Sequence, residues 1–209
     1  MGLHQWGLEA LDEVVEKAGL AYSGASIVEL GLTNLRKSLS HYNLTYARDL
    51  FAQRGAKVLT IDLAGKDGAV ALDLAKPLPS SIGEYDILIN FGTSEHVPNQ
   101  YKCWRNIHNL CRVGGVMVHS IPVSCPHFAT HCFYFYSIGF METLAAKCGY
   151  RKVVPVRSVS NNEQVFAAFW KIRNRPFIGE ASFKECGAEP NPRVNCFYAS
   201  NAVNGIGVP

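Results

Sequence analysis

The sequence has no long apolar run, no close CxxC pair, no cluster of basic residues and no glycine-rich phosphate cradle. Each absence removes a class of function. A membrane span needs ~20 consecutive apolar residues, and no stretch approaches that length. Phosphate tracking along nucleic acid needs grouped Lys and Arg, whereas the formal charge here is only +3 and dispersed. The start, "MGLHQWGLEALDEVVEKAG", lacks the basic and then apolar segments of a secretory signal, and Trp6 stands where a myristoylation motif wants Ser or Thr. Seven cysteines, an odd number, read as reduced thiols rather than a disulfide framework. The expectation is a cytoplasmic protein with neither a membrane nor a nucleic-acid partner.

What is present is strand and helix in alternation. Leu8, Leu11, Val14 and Val15 share one face of an amphipathic helix that Gly19 stops. "ASIVELG" (25–31), "YARDLFAQRG" (46–55) and "KVLTID" (57–62) read as strand, helix, strand. "AVALDL" (69–74) reads as a further short strand, and "YDILINFG" (85–92) as a central one, apolar on both faces. A helix is expected in 99–115, with Arg112 in its last turn and Gly114-Gly115 ending it, then a strand, "VMVHSIP" (116–122). A helix in 136–148 and two β-rich runs around "SNN" complete the pattern. These units predict an α/β fold with a doubly wound, mostly parallel sheet whose last strand is antiparallel. Residues 1–22 form an N-terminal helix or lid, 23–171 the ligand-binding domain, and 172–209 an irregular extension, rich in Gly, Pro and Asn, that could arm a homo-oligomer.

Doubly wound sheets bind ligands at the carboxyl ends of their strands. Those ends carry Glu29 and Gly31, Asp62, Asp73, then Asn90, Gly92, Glu95 and His96. Gly31 would let the backbone approach a ligand, and Glu29 could accept bonds from a ligand ammonium or cap the next turn. Asp62 is placed to read both hydroxyls of a ribose, or to cap a helix. Asp73, between apolar Leu72 and Leu74, could meet an adenine amine or remain a solvated loop acid.

The ordered motifs "IVELG", "VLTIDLAG", "AVALDLAKPLP", "YDILINFGTSEHV" and "LCRVGGVMVHSIP" resemble those of the class I S-adenosylmethionine-dependent methyltransferases, over roughly residues 25–171. The resemblance implies a seven-stranded Rossmann-like methyltransferase sheet and S-adenosyl-L-methionine as cofactor. It carries the cofactor loop onto Glu29 to Leu35, the ribose acid onto Asp62, the adenine side onto Asp73 and Leu74, and the post-strand contacts onto Asn90, Phe91 and Gly92. The family commonly repeats glycine after the first, whereas Leu32, Thr33 and Asn34 follow Gly31 here. Two rivals are a non-catalytic interaction protein on the same fold and an NAD(P)-dependent oxidoreductase. The second lacks GxGxxG and any basic residue before Arg36.

Methyl transfer from a sulfonium needs alignment and dryness, and a base only if the acceptor must lose a proton. His96, His119, His127 and His131 are candidates; His96 could instead anchor the next helix, and His119 could be a core residue. "PVSCPHFATHCFYFYS" (122–137) would overhang the acceptor. His131 is taken as the acceptor-side base or orienting group, with His127, Tyr134 and Tyr136 binding a small polar acceptor; alternatively the aromatics are plain core. Adjacent His131-Cys132 does not match structural zinc spacings, so no metal is expected.

Overall fold

A computed structural model describes residues 2–193. In chain order the elements are β1 (Gly2–Leu3), α1 (Gln5–Lys17), β2 (Ser26–Leu30), β3 (Asn34–Leu35), α2 (Ala47–Gln53), β4 (Lys57–Asp62), β5 (Val70–Ala71) and β6 (Tyr85–Phe91). There follow α3 (Gln100–Leu110), β7 (Cys111–Pro122), β8 (Tyr134–Phe135), α4 (Ile138–Cys148), β9 (Arg151–Val159), β10 (Gln164–Trp170), α5 (Glu180–Lys184) and β11 (Glu189–Pro190). Seven strands form one sheet in the order β5-β4-β2-β6-β7-β10-β9. β10 alone runs against its neighbours β7 and β9, as the terminal hairpin predicts.

Both faces of the sheet are covered, which is why its central strands are apolar at nearly every position. On one face Leu8, Leu11 and Val14 of α1 and Leu50 and Phe51 of α2 bury Ile27, Ile89, Phe91 and Val118. On the other, Trp104 and Ile107 of α3 and Phe140 and Leu144 of α4 bury Val28, Leu30, Leu88 and Phe169. At ~25 cal/mol per Å² of apolar area, these two layers are the main source of stability.

Three expectations change. The chain leaves α3 at Leu110, and "RVGG" lies inside β7 rather than closing the helix. Arg112 pairs with Asp86 at 2.6 Å on the neighbouring strand, and a Cβ on Gly115 would press on the carbonyls of Tyr85 and Asp86. Gly115 therefore serves close strand approach. The helix end is instead satisfied from β10's far end, where the buried ammonium of Lys171 donates to the carbonyls of His108 and Cys111 at 2.9 and 2.7 Å. "AVALDL" shrinks to the two-residue edge strand Val70–Ala71, exposed at both residues.

The described part of the extension turns back onto its own chain. Phe183 of α5 joins the α3 and α4 core, β11 pairs with β8, and Asn191 donates to the carbonyls of Ala129 and Cys132. Residues 194–209 of the expected arm lie outside the described residues.

Candidate functional site

Strand order reverses between β2 and β6, so the crevice beyond their carboxyl ends is where a doubly wound sheet takes a ligand. Both strands end there in glycine with positive φ, Gly31 at 74° and Gly92 at 80°. The neighbouring ends are knitted to this point. Gly31 N donates to Ile61 O at 2.7 Å, Leu32 N to Asp62 Oδ2 at 3.3 Å, and Leu72 N to Asp62 O at 3.2 Å. Glu29, Gly31, Asp62, Asn90, Phe91 and Gly92 thus come together, with Asp73 and Leu74 just beyond β5.

Each plays a narrower part than its residue type alone suggests. The space where Gly31 lacks a side chain is filled by Thr93, whose hydroxyl donates to Leu30 O at 2.5 Å. Asp62 also accepts from Ala64 N at 2.8 Å, and Asp73 accepts from Ala75 N at 2.8 Å with Lys76 3.5 Å away, so both carboxylates shape the loops that carry them. Leu74 is buried, its carbonyl held by Asn106 at 3.0 Å. The ring of Phe91 packs into the α1 layer, which leaves its backbone at the crevice.

Glu29 is fully buried. Its Oε2 accepts from Thr60 at 2.9 Å, and burial raises its carboxyl to about 7 against the lowering effect of hydrogen bonds from Thr33 and Thr60. Asn90 is saturated within the fold: its amide donates to Ser94 Oγ at 2.9 Å, faces His119 Nδ1 at 3.2 Å, and accepts from Ser94 N at 3.2 Å. His119 is a core residue, its Nε2 without a partner and burial holding its ring near 3, hence neutral.

The short 3-10 helix Ser94–His96 carries a second buried acid, Glu95, whose carboxylate oxygens accept no hydrogen bond from the described residues, with His96 Nε2 3.9 Å from Oε1 and burial raising the acid to about 8. Sequence reading noted Glu95 without giving it a role. His96 beside it meets the ring of His131 edge-on, with centroids 4.8 Å apart. Burial, and then the charge of His131, hold His96 down to about 3, while burial first lowers His131, whose Nε2 is buried and unpartnered. The structure therefore brings the two expected histidines together as neutral rings. His127 is mostly exposed and lies 3.9 Å from Glu163.

The two expected acceptor-binding tyrosines differ in burial. Tyr136 is 1% exposed, packed against Trp104 and Phe140, and donates to Gln100 Oε1 at 2.6 Å. Tyr134, half-buried in β8, donates to Pro98 O at 3.3 Å. These aromatics are core and scaffold. Residues missed from the sequence are Thr93, a bland hydroxyl whose partner is 63 positions away, and Arg36 with His4, which meet only because β1 pairs with β3.

No family model and no curated protein matches the chain. Among solved structures, it is similar to the 1,6-didemethyltoxoflavin-N1-methyltransferase of Burkholderia thailandensis, crystallised with 1,6-didemethyltoxoflavin and S-adenosylhomocysteine: 16% identity, 81% of this chain and 84% of that one covered, TM-score 0.52. It is similar also to the N-methyltransferase NodS of Bradyrhizobium japonicum in complex with S-adenosylhomocysteine, at 11% identity, 81% and 89% coverage and TM-score 0.53. The likeness establishes the fold: this is a Rossmann-like methyltransferase fold.

Proposed function

We propose that the protein is an S-adenosyl-L-methionine-dependent methyltransferase acting on a small polar acceptor in the cytoplasm, without a nucleic-acid or membrane partner. The observation that carries this reading is the switch point itself. Two positive-φ glycines end β2 and β6 there, Glu29 is buried near the end of β2, and Asp62 closes the adjacent strand and holds the loop after Gly31. Adenosylmethionine has no phosphate, so a crevice lined with acids and lacking an anion cradle suits it better than a dinucleotide. The fold shared with two methyltransferases crystallised with S-adenosylhomocysteine supports the same choice. Among the described residues no helix is long and apolar enough to cross a membrane, and the six cysteines there are free thiols, as a reducing compartment keeps them.

In this reading Asp62 holds the ribose, Asp73 and Leu74 the adenine side, and Glu29 with the backbone of Asn90, Phe91 and Gly92 the amino-acid end. The cofactor supplies an electrophilic methyl group. The chain has to align the acceptor and exclude water. His131, neutral with a free buried Nε2, takes the acceptor's proton when one must leave, and His96 fixes its ring.

Calorimetric titration of S-adenosylhomocysteine tests this. Binding to wild type and its loss, about tenfold or more, in Asp62→Ala are expected; no binding to wild type ends the reading. A second reading, a non-catalytic interaction protein, is favoured by one observation, the seating of Thr93 over Gly31. The same absence of binding would favour it.

A further inference from the structure

A cavity of about 370 Å³, the size of a small-molecule site, opens at the same edge of the sheet. Its place follows from the register. Gln164, on its wall, pairs with Pro122 at the end of β7 and accepts from Ser120 Oγ at 3.0 Å. Gly2, also in its lining, pairs with Asn34 of β3, three residues beyond Gly31. Phe128, also in the lining, has its ring centroid 5.6 Å from that of His131. One lining residue, Phe128, thus adjoins His131.

Its lining is unlike the acidic crevice. Arg36, His4 and His127 face it, with Trp6 and Phe128 as aromatic walls and Glu163 as the one carboxylate. Glu163 stands beside His127 at 3.9 Å, and among the described residues no carboxylate makes an ion pair with Arg36. Burial, and then the charge of Arg36, push the His4 ring below its usual value, so the two groups oppose each other's charge. An oxyanion between them removes that opposition and gives the guanidinium fork a planar partner.

We infer that this cavity is the acceptor subsite and that the acceptor is a small planar carboxylic acid, held by Arg36 and His4 through its carboxylate and by Trp6 and Phe128 through its ring. The inference deepens the methyltransferase reading and rests on it for the word acceptor. It explains how the acceptor is held without either expected tyrosine: the carboxylate is gripped from the β1 and β3 side, and the ring lies toward His131.

Calorimetry with benzoate and nicotinate, against their uncharged counterparts benzamide and nicotinamide, tests the inference independently of the cofactor. The acids are expected to bind wild type about tenfold more tightly than the amides. Arg36→Gln and, separately, His4→Gln should each reduce that preference severalfold, with unchanged thermal unfolding showing that the fold persists. Equal binding of acid and amide, no binding of either acid, or a preference surviving Arg36→Gln overturns the inference. S-adenosylhomocysteine titrated in parallel keeps the two failures apart. If it binds while the acids show no preference, the carboxylate subsite falls and the methyltransferase reading stands. If the acids bind as described and it does not, the pocket stands as a carboxylate site and the methyl-transfer role falls.

Discussion

Gly31 shows how much one missing side chain does in this protein. Its φ of 74° costs an L-residue strain, and a Cβ there would overlap the Thr93 hydroxyl. Gly31→Ala is therefore expected to destabilise the fold by about 1–3 kcal/mol. In a double-mutant cycle with Thr93→Ala, read by urea unfolding, part of that loss should be recovered, because the second change removes the overlap but not the φ penalty. Additive losses would mean that Thr93 is not the obstacle. His131→Ala is expected to lower kcat by about 10²-fold or more while leaving S-adenosylhomocysteine affinity within about twofold, since the ring is assigned to the acceptor and not to the cofactor. Unchanged turnover would remove it from the mechanism. At this scale the sequence is a fair guide to which residues gather and a poor one to what they touch. Asp62 and Asp73 were legible as strand-end acids, but their bonds to Ala64 and Ala75 depend on loop conformations that no spacing encodes.

Among the elements, the long strands and helices follow from pattern. α1, β2, β4 and β6 emerge where apolar period and glycine stops place them, because each must bury a defined face against one neighbour or two. The junction of α3 and β7 does not. Gly114-Gly115 has the look of a helix stop, yet the helix ends earlier, and Lys171, 60 residues beyond Cys111 in sequence, takes up the last carbonyls. Lys171→Met keeps the stem and removes the ammonium, leaving those two carbonyls buried without a donor. A loss of about 1–3 kcal/mol is expected in urea unfolding; a loss within error would show that the capping is dispensable. The tail beyond residue 172 has too little periodicity to read, and in its described part, 173–193, Phe177 and Phe183 dock against the α3 and α4 layer.

For the whole molecule, buried ionisable groups shape stability against pH. Glu29 and Glu95 are raised by burial to about 7 and about 8, so the folded state holds their protons more tightly than the unfolded chain. Their contribution is full below the unfolded carboxyl value of 4.5 and is lost as pH rises through 7 and 8. His96 and His119, lowered to about 3 from 6.5, act in the opposite direction: their contribution is full above 6.5 and is lost as pH falls toward 3. Stability should therefore be broadest between those limbs and decline on both sides. Glu95→Gln keeps the shape without the charge, so it should flatten the alkaline limb between pH 6.5 and 8 and leave the acid limb in place. Thermal unfolding across that range checks this, and an unchanged alkaline limb would mean that Glu95 does not carry it.

The sequence by itself determined the order of strands and helices, the apolar faces they bury, and which residues terminate strands, because periodicity and chain stops are local properties that each segment carries. Only the tertiary structure decided that Thr93 fills the space beside Gly31, that Lys171 closes α3, that Tyr136 is core, and that Arg36 and His4 share one cavity. Those outcomes depend on contacts between residues far apart in the chain, where shape and unmet hydrogen-bonding groups select the partner and residue type alone does not.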